Sequence, residues 1–219
     1  MNFAELKTRL LALSTSSMCD ADKNLRVLDP AIRPLKEGFK FVGVARTVSC
    51  REDFLTVIRA LADANPDDVL VVDSQQSGRA LAGELFATEA ARKGLAAIVV
   101  DGAYRDISAV KALGFPVYAR SVNPMSGSIE NVFETQNTVS CGGVSISPGD
   151  ILFGDDDGIV VGSTEELVKL LPAAEAIEET EARVLEKLKQ GESLIDLLNF
   201  EDHWNDISLG RSSKLTFEI

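Results

Sequence analysis

The middle of the chain alternates short β-branched runs with helical segments, and this alternation limits the possible folds more than any other sequence feature. Strands joined through helices pair in parallel, with the helices packed on the sheet. A parallel α/β arrangement is therefore expected here. The alternating segments are strand 69–73, helix 83–94, strand 95–101, helix 107–114 and strand 116–122.

The flanking segments add further layers. An alternating strand (39–50) and a helix (53–64) precede the α/β stretch, and TVSCGGVSI, DILFG and GIVVG follow it as short strands separated by turns, which indicates an antiparallel β layer. From Ser163 the pattern predicts one long charged helix, N-capped by Ser163 or Thr164 and interrupted near Pro172. We expect an α/β fold, a layered β/β/α domain of the swivelling-domain type over 1–190 with a long C-terminal helix, followed by a tail over 191–219.

Charge and hydropathy exclude several classes of protein. The 22 basic against 34 acidic residues give a net charge of −12, and no basic stripe is present, so nucleic acid is not an expected partner. No apolar run approaches the roughly 20 residues of a membrane span. The first 20 residues predict a short amphipathic helix carrying Glu5, not a signal peptide. We expect a cytoplasmic protein without a membrane segment.

The scarcity of histidine narrows the possible chemistry. His203 in the tail is the only one, so a Ser-His-Asp or Cys-His mechanism has a single candidate. Cys19, Cys50 and Cys141 lie far apart and form neither a metal-ligand spacing nor a disulfide framework, which favours free thiols. The sequence also lacks the GxGxxG and Walker patterns of nucleotide-binding folds. Carboxylates, arginine, lysine, backbone amides and a metal ion remain as catalytic groups.

Two loops that leave the carboxyl ends of expected parallel strands carry suitable residues, because ligands bind at this edge of such sheets. The helix start at Gly83 offers backbone N–H groups and a positive dipole end for a carboxylate. Arg105 provides a planar fork for the same kind of anion, and Asp106 is a hard oxygen ligand for Mg²⁺ or Mn²⁺. The alternative is structural: Gly83 only starts a helix, and Asp106 only N-caps helix 107–114.

Two other acidic clusters are better explained without a ligand. The DDDG at 155–158 lacks the remaining ligands of a calcium loop and reads as a tight turn between strands. The acidic run that includes Glu178 and Glu181 lies on the long helix, where charges mostly face solvent.

The segment GELFATEAARKGLAAIVVDGAYRDISAVKALGFPVYARSVNP (83–124) resembles the core of the 4-hydroxy-4-methyl-2-oxoglutarate / 4-carboxy-4-hydroxy-2-oxoadipate aldolase family. This family also contains the RraA-like regulators of ribonuclease E. The Gly-Glu-Leu helix start, the VxDGxxRD loop and the GFPV strand occur together in it. The similarity covers most of residues 10–190, including STSSMCDA and PGDILFGDDDGIVV.

The resemblance implies a role for each matching residue. Backbone amides of the helix start bind the pyruvate carboxylate, and an acid at the second position helps to hold metal-bound water. The arginine of the RD pair binds substrate, and the aspartate is the direct protein ligand of the metal. A glutamate from the C-terminal helix of a neighbouring subunit contributes, and we assign it to Glu181, with Glu178 as the substitute. The matching residues are Gly83, Glu84, Leu85, Phe86, Arg105 and Asp106.

Two positions depart from the family pattern. Ala109 stands where the aldolases usually have Glu or Asp. If Asp106 is the N-cap, Ala109 occupies the position whose glutamate would complete a capping box, so its absence weakens the helix by about 1 kcal/mol and leaves the metal ligand unchanged. Phe86 stands where the family often has Leu, and we expect it to contribute mainly its amide.

These features predict a divalent-metal-dependent lyase that cleaves 4-hydroxy-2-oxo diacids to pyruvate, with oxaloacetate decarboxylation as a side activity. The resemblance further implies a homotrimer or a hexamer with intersubunit sites. The main alternative is a non-catalytic, protein-binding regulator of the ribonuclease E type, although that branch tends to lose the metal aspartate that is Asp106 here. A Schiff-base aldolase is disfavoured because neither loop contains a lysine and Lys40 lies on a strand.

Overall fold

The parallel strands predicted from the alternating pattern form the centre of a nine-stranded sheet in the computed structural model, which describes residues 1–219. The sheet order is β1-β11-β10-β3-β4-β6-β7-β2, with β5 paired to β6. The strands are β1 (Arg26–Val27), β2 (Arg33–Pro34), β3 (Phe41–Ser49), β4 (Asp68–Asp73), β5 (Ala80–Ala82), β6 (Ala97–Tyr104), β7 (Val117–Val122), β8 (Val139–Cys141), β9 (Val144–Ile146), β10 (Ile151–Gly154) and β11 (Ile159–Gly162).

Seven helices accompany the sheet, and α3, α4 and α5 connect the parallel strands as predicted. The chain divides into two compact units, Met1–Leu171 and Pro172–Ile219. The expected division into a domain over 1–190 and a tail stays a prediction. The helices are α1 (Phe3–Ala12), α2 (Thr15–Ala21), α3 (Leu55–Ala62), α4 (Glu84–Lys93), α5 (Ile107–Leu113), α6 (Thr164–Lys189) and α7 (Phe200–Ser208).

Strands β3, β4, β6 and β7 are parallel neighbours, and their side chains alternate between two apolar clusters. On one face, Leu70 and Val100 pack against the helices. On the other, Val71 and Val99 pack against the β8–β9 hairpin. The α/β fold class with its β/β/α layering and long C-terminal helix is confirmed.

The antiparallel part differs from the expectation in one respect. Strands β10 and β11 do not form a separate layer, because β10 pairs with β3 and so extends the parallel sheet. Only the β8–β9 hairpin forms the second β layer. The short runs are alike in sequence, so only tertiary packing distinguishes the hairpin from the two sheet strands.

The DDDG segment is a structural turn, as predicted. Asp155 N–H donates to the Gly158 carbonyl at 3.0 Å, closing the connection between β10 and β11. The Asp155 carboxylate also accepts from the Thr15 amide and hydroxyl, at 2.8 and 2.7 Å. This contact fixes the start of α2, and the predicted N-terminal helix is thus two helices separated at Leu13 and Ser14.

The long C-terminal helix begins with a capping box. Glu166 N–H donates to the Ser163 hydroxyl at 3.2 Å, and Ser163 N–H donates to the Glu166 carboxylate at 2.7 Å. Pro172 lies inside α6 without ending it, contrary to the expected interruption. Along the chain, no helix combines the length and the apolar composition that crossing a bilayer requires.

Candidate functional site

The helix start at Gly83 and the Arg105-Asp106 pair meet at the carboxyl edge of the parallel strands. Strand β6 continues to Tyr104, so the expected loop over 102–106 is shorter than predicted and consists of the last two residues. A Cβ atom added to Gly83 would lie 2.4 Å from Asp106 Oδ2 and 2.9 Å from Arg105 Cγ. Gly83 therefore allows an approach that any side chain would block.

Asp106 adopts an unusual backbone conformation that turns its side chain away from its own helix. Its φ is 60°, in the left-handed region that aspartate tolerates better than most residues. It occupies the N-cap position of α5 but makes no side-chain capping hydrogen bond there. Instead, Asp106 Oδ2 accepts from the Glu84 N–H of α4 at 3.2 Å.

This geometry removes the basis for the capping-box hypothesis at Ala109. A capping box requires extended backbone at the N-cap and a side chain directed at its own helix, and Asp106 has neither. The structural alternative for Asp106, a simple N-cap of α5, is likewise not what the structure shows.

The first turn of α4 leaves one backbone donor unused. Glu84 N–H is taken by Asp106, and Phe86 N–H donates to the Gly83 carbonyl at 3.1 Å. Leu85 N–H has no acceptor within the chain. Phe86 also lines a cavity, and the expectation that it contributes mainly its amide to substrate binding stays a prediction. Leu85 supplies the available N–H at the positive end of the helix dipole.

Arg105 presents its guanidinium beside the Asp106 carboxylate. Its backbone N–H donates to the Ala82 carbonyl at 3.2 Å, which fixes the residue at the end of β6. Its Nε lies 3.5 Å from Asp106 Oδ2 in a partly exposed ion pair. The two terminal nitrogens have no acceptor within the chain, so they remain available for an anion such as a carboxylate.

Tyr104 stabilises this arrangement through its buried side chain. Sequence reasoning did not identify this residue. The side chain is fully buried, and its hydroxyl donates to the Gly83 carbonyl at 3.0 Å. Burial, with a smaller effect from the Asp106 charge, raises the pKa of Tyr104 above its ordinary value. The hydroxyl therefore stays protonated and holds the start of α4 against the end of β6.

Arg105, Asp106 and the start of α4 line an open cavity of about 340 Å³. Most of its wall is apolar, and Phe54 and Phe86 meet there edge to face with ring centroids 5.9 Å apart. Ser126 adds a polar residue to the lining. The lining residues of the predicted site are Gly83, Leu85, Phe86, Arg105 and Asp106.

A buried carboxylate that sequence reasoning also missed fixes the loop behind Ser126. Asp53 is fully buried and accepts from Leu55 N–H, Ser128 Oγ–H, and the N–H groups of Glu130 and Asn131, at 2.7 to 3.0 Å. Burial opposes its ionisation, but these hydrogen bonds outweigh it and lower the pKa of Asp53 to about 2. A lone aspartate before a helix carries no sequence signal of this role.

The donor set around Asp106 suits a hydrated hard cation. No group of three or more histidine, cysteine or acidic side chains in the chain is placed so that it could hold a metal ion. Asp106 Oδ1 has no partner within the chain, and the Glu84 side chain is exposed on the adjacent helix turn. Mg²⁺ and Mn²⁺ commonly bind one or two carboxylates and keep several waters, which these residues fit.

The other candidate catalytic residues from the sequence do not line this cavity. His203 is on α7, and its buried Nδ1 has no hydrogen-bond partner. All three cysteines are free thiols, and burial raises the pKa of Cys50 to about 12. Lys40 donates to the Leu13 carbonyl at 2.5 Å, and no lysine lines the cavity. Glu181 lies on α6 in the second unit, where its assigned role stays a prediction.

Comparison with known proteins identifies the family. Residues 15–161 match the model of the RraA-like family, described as Aldolase/RraA. The chain belongs to the RraA-like family. A protein of Halalkalibacterium halodurans that bears the provisional name 4-hydroxy-4-methyl-2-oxoglutarate aldolase is 37% identical over 183 residues, which cover 81% of this chain and 87% of the relative.

Solved structures of similar fold include members described as regulators. The RraAS2 protein of Streptomyces coelicolor, an unusual member of the RNase ES inhibitor RraA family, matches with a TM-score of 0.74 and 30% identity, covering 84% of this RraA-like chain and 96% of that one. The RNA-processing inhibitor RraA of Thermus thermophilus matches with a TM-score of 0.63 and 29% identity, covering 67% and 90% of the two chains. The family therefore includes both named aldolases and named inhibitors.

Proposed function

We propose that this RraA-like chain is a divalent-metal-dependent aldolase that cleaves 4-hydroxy-2-oxo diacids, such as 4-hydroxy-4-methyl-2-oxoglutarate, to pyruvate and a second oxo acid. The observation that carries the proposal is the Asp106 carboxylate, which is turned away from its own helix and placed beside Arg105 at the start of α4. An aspartate that only capped α5 would direct a side-chain oxygen to the N–H groups of its own helix, and Asp106 does not.

The 2-oxo acid would bind through its carboxylate and its oxo group. Leu85 N–H and the terminal nitrogens of Arg105 are donors without acceptors, and both suit a carboxylate. As the C3–C4 bond breaks, negative charge develops on the former 2-oxo oxygen. Arg105 would stabilise that charge from a position fixed by its own backbone hydrogen bond to Ala82.

Asp106 would be the direct protein ligand of Mg²⁺ or Mn²⁺, and Glu84 would hold a metal-bound water. When bound, the cation supplies Lewis-acid stabilisation of the developing enolate. The carboxylate oxygens of Asp106 and Glu84 suit this choice of metal, and neither histidine nor cysteine, the ligands that softer ions prefer, lines the cavity.

A base must remove the proton of the C4 hydroxyl. We assign this role to a water held by Glu84 together with Glu181 of a neighbouring copy. The two copies would belong to a homotrimer or hexamer, and we place the protein in the cytoplasm. Glu84 is exposed and has no side-chain partner within its own chain, which leaves it free for such a contact. Oxaloacetate decarboxylation passes through the same pyruvate enolate and is an expected side activity.

A regulator of ribonuclease E type is the second candidate. The similar solved structures described as inhibitors of RNA processing favour it, as does the net charge of −12, which suits docking on a basic protein surface. That function would not need the open geometry at Asp106.

The experiment is an assay of pyruvate release from 4-hydroxy-4-methyl-2-oxoglutarate and from oxaloacetate, with Mg²⁺ or Mn²⁺ and again after addition of EDTA. We expect metal-dependent release from both acids and its loss on chelation. Metal-independent release, or none from any 4-hydroxy-2-oxo acid, would reject the proposed mechanism. Inhibition of ribonuclease E by the inert chain would then favour the regulator.

A further inference from the structure

Two side chains at the end of β6 hold the opposite ends of one peptide group. The carbonyl of the peptide between Gly83 and Glu84 accepts from the Tyr104 hydroxyl at 3.0 Å. The N–H of the same peptide donates to Asp106 Oδ2 at 3.2 Å. Because a peptide group is planar and rigid, it connects the fully buried hydroxyl directly with the carboxylate that is the candidate metal ligand.

The other contacts of this peptide do not fix its plane relative to β6. The Gly83 carbonyl also accepts from the N–H groups of Phe86 and Ala87, at 3.1 and 3.2 Å, but both donors belong to α4 itself. Arg105 N–H donates to the carbonyl of Ala82, which belongs to the preceding peptide. The buried hydroxyl is therefore the group of β6 that holds the carbonyl end of this peptide.

The Asp106 carboxylate depends on the peptide because little else in the chain holds it. Its side chain makes no capping hydrogen bond to α5, and its other polar contact is the partly exposed ion pair with Arg105 Nε at 3.5 Å. The direction of the peptide N–H therefore sets the direction of the carboxylate, including the oxygen without a partner. A ligand that is oriented before the cation arrives binds it more tightly, since less conformational freedom is lost.

The two hydrogen bonds also strengthen each other. A donor on a peptide carbonyl polarises the amide, so that the N–H of the same amide becomes a better donor. The first bond of this chain starts at a tyrosine side chain without exposed surface, where water does not compete for the hydroxyl. Loss of the hydroxyl would thus weaken the contact to Asp106 as well as free the peptide plane.

We propose that Tyr104 is a positioning residue for the metal site: its hydroxyl, acting through the peptide between Gly83 and Glu84, orients the Asp106 carboxylate for Mg²⁺ or Mn²⁺. This inference rests on the proposed function, because it assumes that Asp106 is a metal ligand. Partners that orient a metal ligand in this way commonly contribute about 10- to 100-fold in metal affinity.

Tyr118 provides a matched control. Its side chain is also fully buried, and its hydroxyl donates to a backbone carbonyl, that of Asp155, at 3.0 Å. Asp155 lies in the turn between β10 and β11 and does not line the cavity. The test compares Tyr104→Phe with Tyr118→Phe, because each removes one buried hydroxyl and one hydrogen bond to the main chain. Calorimetry without substrate measures the Kd for Mn²⁺, urea denaturation measures stability, and Asp106→Asn is the reference for loss of the metal.

We expect similar decreases in the urea midpoint for the two tyrosine variants, since each loses one buried hydrogen bond. Only Tyr104→Phe should raise the Kd for Mn²⁺, by about 10-fold or more. Its pyruvate release should fall at limiting Mn²⁺ and recover at saturating Mn²⁺. An unchanged Kd in folded Tyr104→Phe, or an equal change in Tyr118→Phe, would overturn the positioning role alone. A wild-type chain that binds Mn²⁺ no better than Asp106→Asn would overturn the proposed function, and this inference with it.

A spectroscopic measurement tests the same connection if Tyr104→Phe does not fold. The chain has two tyrosines, so fluorotyrosine incorporated into the Tyr118→Phe variant labels position 104 alone. We expect Mg²⁺ to shift the fluorine NMR resonance of this label, and the shift to disappear when Asp106→Asn is added. A resonance that does not move while calorimetry detects bound Mg²⁺ would contradict the connection between Tyr104 and the metal site.

Discussion

Two Arg–Asp pairs lie at the carboxyl edge of the same parallel strands, one on each face of the sheet, and they differ in what satisfies their charges. On the hairpin face, Arg120 pairs with both Asp101 and Asp29, and Asp101 also accepts from Gly142 N–H at 2.7 Å. On the helix face, Arg105 contacts Asp106 only through Nε at 3.5 Å.

The difference separates a structural pair from a candidate site. The Arg120–Asp101 pair attaches the β8–β9 hairpin to the sheet, and its donors and acceptors are taken by other parts of the protein. The Arg105–Asp106 pair keeps two guanidinium nitrogens and one carboxylate oxygen without partners. Residue types alone therefore do not identify a site. A binding site also needs donor and acceptor atoms that have no partner within the protein.

The largest expected effect is on turnover at the helix-face pair. Asp106→Asn keeps the shape and the tolerance for positive φ but removes the charge that would hold the metal. We expect pyruvate release to fall at least about 1,000-fold, as loss of several kcal/mol of metal stabilisation implies, with the free energy of unfolding changed by less than about 1 kcal/mol. Steady-state kinetics and urea denaturation measure the two quantities. Activity near wild type would show that Asp106 holds no essential cation.

The matching substitution on the hairpin face should reverse this pattern. Asp101→Asn leaves Arg120 with only the partly exposed Asp29 and weakens the bond to the hairpin. We expect the free energy of unfolding to fall by about 2 kcal/mol, less than for a fully buried pair because Arg120 is about one-third exposed. The folded variant should keep its kcat. Unchanged stability in urea denaturation would contradict the structural role of the pair.

Gly83→Ala tests the close approach that keeps the helix-face pair open. The added methyl would lie 2.4 Å from Asp106 Oδ2, so the carboxylate or the helix start must move, at about 1 to 3 kcal/mol. Metal affinity by calorimetry should weaken along with thermal stability. Gly78→Ala is the matched control, since nothing lies within 4 Å of its added Cβ. If Gly83→Ala and Gly78→Ala had the same metal affinity and thermal stability, the steric argument would be wrong.

The last comparison concerns a third carboxylate, Asp53, which is satisfied by neutral donors instead of a cation. Its pKa is lowered from 3.8 to about 2, so its stabilising effect is present above pH 3.8 and is lost as the pH falls toward 2. Asp53→Asn should be less stable than wild type at pH 6, and the difference should shrink between pH 4 and pH 2. Urea denaturation across this range measures it, and a constant difference would show that Asp53 does not titrate with folding.

Part of the site could be predicted from the sequence because it depends on local order along the chain. The strand–helix alternation placed Gly83 and Arg105 at the same sheet edge, and the family resemblance singled out Asp106. Tyr104 and Asp53 could not be found this way. Their roles depend on partners far along the chain, such as Gly83 for Tyr104 and Ser128 for Asp53.

The sequence by itself determined the parallel α/β centre, the turn at 155–158 and the long C-terminal helix, because hydrophobic periodicity, turn residues and capping act over a few neighbouring positions. Only the tertiary structure decided that β10 and β11 extend the main sheet and that the Asp106 side chain faces α4 and not α5. Both outcomes depend on packing and hydrogen bonding between segments that are distant in sequence. The free energies of such contacts cannot be inferred from a local sequence pattern.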